Sequence, residues 1–182
     1  RFAGLLTRDQ FNLAEAAFLV AADAYPAIDV DACLAELDRL AGVVVARVAA
    51  DAFAEQKVSA LNHYLFDELG FAGNTGEYFD PRNSYLNDVM ERRTGIPITM
   101  SILYLELGRR IGLEMRGVSF PGHFLVKLQV TRGQLVLDPF NRAVPQSTAD
   151  LRRRLAQVMP EEQAAKLSLE SCLSPATPRE II

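Results

Sequence analysis

The sequence predicts an α+β domain: helices first, then a small antiparallel sheet with one long helix packed on it. Three observations carry this expectation. Apolar residues recur at helical spacing through most of residues 13 to 69. The stretch opened by Pro97 carries Ile98, Ile102, Leu103, Leu105, Leu107 and Ile111, apolar on several sides, as in a helix that is largely buried. Beyond it, short runs with strand character at 115–120, 123–130 and 135–138 are separated by turn residues, the pattern of hairpins.

Taken in order, the first helix carries Leu13, Ala16, Ala17, Val20, Ala21 and Ala24 and stops at Tyr25-Pro26, because proline cannot continue it. Asp29 or Asp31 can cap a second helix with Leu34, Leu37, Leu40, Ala41, Val44, Val45 and Val48 on one face. A third starts near Asp51, carries Val58, Leu61, Leu65 and Leu69, and ends at Gly70. His63 within it reads as a surface or packing residue. Residues 71–85, FAGNTGEYFDPRNSY, are rich in Gly, Asn, Asp and Pro, and so form a long loop. Asn83 or Ser84 can cap a short helix over 85–93 with Leu86, Val89 and Met90 inward.

The central helix follows, with Pro97 suited to its first position and Gly112 ending it. Thr99 and Ser101 lie near its positive end, where free N–H groups stabilise a developing anion. In the strand 123–130, Phe124, Val126, Leu128 and Val130 share one face, which leaves His123 on the more polar face with Leu125, Lys127 and Gln129. Thr131-Arg132-Gly133 makes the turn, and strand direction brings His123 and Asp138 to the same end. A two-residue turn at Arg132-Gly133 would set His123 opposite Asn141 or Arg142, so either Asp138 or Asn141 could orient the imidazole. Ser147 to Asp150 resembles a capping box before a helix over 151–158, a further helix spans 161–169, and SPATPREII reads as a linker.

Composition bounds the rest. With 182 residues, 49% apolar and 23% charged, the chain fits one main soluble domain. Within it we distinguish an N-terminal helical part (1–70), a core (71–160) and a C-terminal helix and linker (161–182). A net charge of -4 without a long basic run argues against nucleic acid, and Arg152, Arg153 and Arg154 read as a solvated helix face. No apolar stretch reaches the roughly 18–20 residues a membrane span needs. Cys33 and Cys172 lie far apart, in no metal or redox spacing, which suits a cytoplasmic protein. No metal or cofactor motif is read. The start at Arg1 rather than Met and the end at PREII suggest a piece of a longer chain.

At His123 and Asp138 a resemblance becomes specific. A helix ending in Arg-Arg-Ile-Gly-Leu, a strand, then His-Phe-Leu-Val, a turn and Leu-Asp-Pro resembles the core of the transglutaminase-like superfamily. The strings DPRNSYLNDVMERRTGIPITMSILYLELGRRIGL, FPGHFLVKL and VLDPFN are similar, more narrowly, to its SirB-type branch, whose members usually continue into tetratricopeptide-like repeats. The resemblance implies a papain-like fold in which His123 is the base and Asp138 the orienting acid. The cysteine of the triad belongs at Pro97 or a residue either side, and Gly95-Ile96-Pro97-Ile98-Thr99 contains none. Acyl transfer of that type needs a thiolate paired with imidazolium. Without it, His123 and Asp138 can still do general acid or base work, worth ~10²–10⁴-fold.

Three readings follow. The domain keeps the cleft, lined by Asp80, Arg82, Asn83, Tyr85, Asn87 and Asn141, to bind a peptide or protein partner. Alternatively, Thr99 or Ser101 replaces the thiol in an amidase- or peptidase-like hydrolase. In the third, His123 and Asp138 only satisfy each other.

Overall fold

The computed structural model describes Gly4 and residues 11–182. Helix α1 (Leu13–Ala24) begins where the Asn12 side chain accepts from the Glu15 N–H. Helix α2 (Val30–Val45) is capped by Asp29 in the same way and buries Leu37, Leu40 and Val44. Helix α3 (Ala54–Asn62) starts slightly later than expected, with Gln56 Oε1 accepting from the Phe53 N–H at 2.9 Å. It runs into a π-helical turn (His63–Glu68), and Gly70 leaves it at a φ of 74°. His63 is exposed and lies between two carboxylates, 3.0 Å from Asp67 and 3.3 Å from Glu68.

The long loop contains strand β1 (Ala72–Gly73) and a 3₁₀ turn (Pro81–Ser84). Helix α4 (Leu86–Arg92) then begins at Tyr85, which gives no side-chain cap. Neither Asn83 nor Ser84 caps it, because the 3₁₀ turn already uses those residues. Strand β2 (Thr94–Gly95) pairs in parallel with β1 and leads into helix α5 (Pro97–Arg110). Met100, Leu103 and Tyr104 of α5 are completely buried, and the helix packs on α2 and on strands β3 (Met115–Phe120) and β4 (His123–Val130).

The sheet has the order β3-β4-β5-β6, with β5 at Gly133–Asp138 and a short β6 at Val144–Pro145. Val130 pairs with Gly133, so the two-residue turn is Thr131-Arg132, one residue earlier than expected. Gly133 at φ 118° permits that placement.

The expectation that one sheet face is polar is corrected. Val118, Phe120 and Leu125 on that face form a second apolar cluster with Leu151, Leu155 and Ala164. These come from helix α6 (Thr148–Val158), started by the Ser147/Asp150 capping box, and helix α7 (Glu161–Lys166). The sheet is therefore covered on both sides, and alternation along β4 does not separate core from solvent. After the short helix α8 (Leu169–Cys172) the tail is no free linker. Ala176 N–H donates to Gly117 O at 2.8 Å, and Ile181 of helix α9 (Pro178–Ile181) is buried in the main core.

No helix among the described residues is long and apolar enough to cross a membrane.

Candidate functional site

His123 opens β4 directly after the Pro121-Gly122 turn. Gly122 sits there at φ 70°, and a Cβ on it would lie 2.5 Å from Val158 Cγ1, so only glycine lets α6 lie against this turn. Asp138 closes β5. Its Oδ1 lies 2.8 Å from His123 Nε2, and the carboxylate is fully buried while the imidazole is 10% exposed. With Nε2 donating to the carboxylate, Nδ1 is left as the acceptor of the neutral ring. It makes no hydrogen bond among the described residues.

Asp138 is shared. Its Oδ2 accepts from the Arg154 guanidinium, and the Asn141 N–H reaches Oδ1 at 3.4 Å. Arg154 is therefore not part of a solvated face, since it ties α6 to the buried carboxylate. Arg152 too is engaged, donating to Ala164 O and Leu167 O at 2.9 and 2.8 Å, whereas exposed Arg153 meets Asp150. Asn141 reaches Asp138 through its backbone N–H from a 3₁₀ turn (Pro139–Asn141), since the β4–β5 pairing has already ended at Val126–Leu137.

Pro97 is the first residue of α5 and is buried. Thr99 Oγ1 accepts from the Ile96 N–H at 3.1 Å and donates to Asn83 O at 2.8 Å, so its proton serves the helix start and the loop. Ser101 is fully buried, and its Oγ has no hydrogen-bond partner among the described residues. Neither hydroxyl is hydrogen-bonded to His123. Ile98, beside Pro97, is partly buried in the apolar core.

The loop residues hold the loop itself. Asn83 is fully buried, donating to Glu77 O and Tyr78 O at 2.7 and 3.1 Å and accepting from Asn74 Nδ2 at 3.0 Å. Asp80 accepts from the Arg82 side chain and N–H and from Arg92, and the Arg82 guanidinium bonded to it holds its carboxyl at about 2, below the usual carboxylate range. Tyr85 stands edge-on to Tyr25, with centroids 5.5 Å apart. Asn87 lines a separate cavity of about 450 Å³ between α2 and α4. Thus Asp80, Arg82 and Asn83 are engaged within the loop and with Arg92, and Tyr85 and Asn87 have their contacts elsewhere.

The residues beside the imidazole are aromatic. Phe140 stands edge-on to His123 with centroids 5.9 Å apart, and Tyr78 stands edge-on to Phe140 at 6.2 Å. Gly73 allows this: a Cβ there would lie 2.5 Å from the Phe140 ring. Tyr78 and Phe140 were legible only as aromatic residues in turn segments, and nothing in the sequence marks Arg154 as a partner of Asp138. Chemically, the site offers an imidazole with one nitrogen fixed by a buried carboxylate and the other available to accept a proton or hydrogen bond, beside the ring of Phe140.

Comparison with known proteins agrees with this architecture. Residues 31–182 match the family profile described as the transglutaminase-like superfamily. The chain is 41% identical over 170 residues to a UPF0162 protein of Xylella fastidiosa, covering 93% of this chain and 60% of that one. It is 33% identical over 168 residues to a UPF0162 protein of Pseudomonas aeruginosa, covering 91% and 61%. It is also 46% identical over 72 residues to F-box only protein 21 of Mus musculus, covering 40% of this chain and 12% of that protein. The chain thus spans about 60% of the length of the UPF0162 relatives it matches along most of its own length. No solved structure matches it. With the profile covering most of its residues and the helix, hairpin and His-Asp pair arranged as described, the chain belongs to the transglutaminase-like superfamily.

Proposed function

We propose that this domain is a non-catalytic, SirB-type member of the superfamily that binds a peptide or protein partner in the cleft beside His123. The observation that carries the reading is the start of α5. The position the resemblance assigns to the thiol falls at buried Pro97 or its neighbours, and the two cysteines stand in α2 and α8 instead. His123 meanwhile keeps an available Nδ1 beside Phe140, whose ring Tyr78 abuts in turn, a polar acceptor next to an apolar ring, which suits a peptide N–H and an apolar side chain. Thr99 is set aside as a replacement nucleophile because its proton is committed to Asn83 O, and Ser101 because it is buried in the helix packing.

A fluorophosphonate probe and partner capture test this. We expect no covalent labelling of the full chain, and labelling at Thr99 or Ser101 would overturn the reading. Proteins captured by wild type should be lost with His123→Ala and reduced with Gly73→Ala, which forces Phe140 off the imidazole, provided both variants melt cooperatively. An unchanged partner set would count against this cleft.

A further inference from the structure

Directly after the Pro139–Asn141 turn, two successive residues with side chains stand in the left-handed backbone region, Arg142 at φ 55° and Ala143 at φ 52°. Glycine adopts that backbone freely, whereas a residue with a Cβ is strained there. Ala143 has a local reason for its place: it is buried, and its N–H closes the turn by donating to Asp138 O at 2.8 Å. For Arg142 the reason lies in its side chain.

The Arg142 guanidinium reaches across to the π-helical turn (His63–Glu68), far away in sequence. One nitrogen donates to Phe66 O at 3.3 Å, the other donates to Asp67 Oδ1, and the group lies over the Phe66 ring, 5.9 Å from its centroid. Phe66 is buried and stacked on Tyr104 of α5, with centroids 6.2 Å apart, so the hold ends on the core. Asp67 is fixed in turn through its other oxygen, 3.0 Å from His63 Nδ1. A half-exposed ion pair alone contributes little. Here a carbonyl bond and a ring contact from the same side chain join it.

What this hold fixes lies next to it. Phe140 stands two residues before Arg142, on a turn tied at its start by Asp138 and at its end by Arg142. Its ring leans on Gly73 and stands edge-on to His123. We infer that Arg142 is a positioning residue of the His123 cleft: its grip on Phe66 and Asp67 keeps Phe140 beside the imidazole and so shapes the wall a partner meets. The consequence for binding rests on the reading of the cleft as a partner site, whereas the geometry is testable without a partner.

NMR of the full chain in free solution is the test. Wild type should show NOE cross-peaks between the ring protons of Phe140 and those of His123. Arg142→Gly deletes the side chain and relieves the backbone, so its melting temperature should be unchanged or higher while the cross-peaks are lost. Its His123 ring-proton shifts should move to those of Phe140→Leu. Asp67→Ala, which leaves residue 142 untouched, should lose the cross-peaks too, and Arg142→Lys, which keeps a cation in reach of Asp67, should retain them. Cross-peaks that survive Arg142→Gly or Asp67→Ala overturn the inference, and if partner capture by wild type still depends on His123, the cleft reading stands without it. Cross-peaks lost as expected, with no His123-dependent capture by wild type, support the positioning role and overturn the cleft reading alone.

Discussion

Asp138 is the most constrained side chain of the site. It is fully buried and holds two groups at once, the imidazole of His123 on one oxygen and the guanidinium of Arg154 on the other. Removing it leaves both partners without their acceptor, and breaking a buried pair in this way is much more costly than replacing the whole pair by apolar groups. Asp138→Ala should lower stability by roughly 3 kcal/mol in urea denaturation. A loss no larger than that of an exposed acid such as Glu77→Ala would show that the carboxylate does not organise this end of the sheet.

At the scale of elements, the loop over 71–85 positions the aromatic wall. Its acidic anchor is Asp80, whose folded carboxyl lies at about 2, below its ordinary 3.8, chiefly because Arg82 donates to it. A depressed value means that the stabilisation is fully present above the unfolded value and is lost as pH falls through the folded one. Between about pH 4 and 2 the Tyr78 and Phe79 ring signals should therefore move towards averaged positions in NMR spectra. With Asp80→Asn they should already be averaged at pH 6. Rings that stay fixed in Asp80→Asn would assign the loop's order to Asn83 alone.

For the whole molecule, the sheet is held from both faces, and the last residues close it. Ile181 sits in the main core beside Gly117 and Phe124, although it lies at the end of a stretch whose proline and serine suggest a linker. Ile181→Ala should cost roughly 2–3 kcal/mol in thermal unfolding, as for other large-to-small core changes. A change below about 0.5 kcal/mol, the range of surface substitutions, would show that the tail is peripheral.

The α+β class, helices α1 and α2, the Pro97 start of α5, the hairpin and the Ser147 cap were determined by the sequence itself. Each depends on local preference: apolar periodicity, a capping oxygen, a proline that lacks an N–H, or a tight turn. That His123 and Asp138 reach the same end of the sheet was legible as well, because strand direction brings those ends together, but the choice of Asp138 over Asn141 as the imidazole's partner was decided by the tertiary structure. Only the tertiary structure decided that Arg154 shares Asp138, that Thr99 serves Asn83, that Asn87 lines another cavity, and that the second face of β4 is covered. Those contacts join residues brought together by packing between elements, and neither hydropathy nor spacing encodes which side chains meet there.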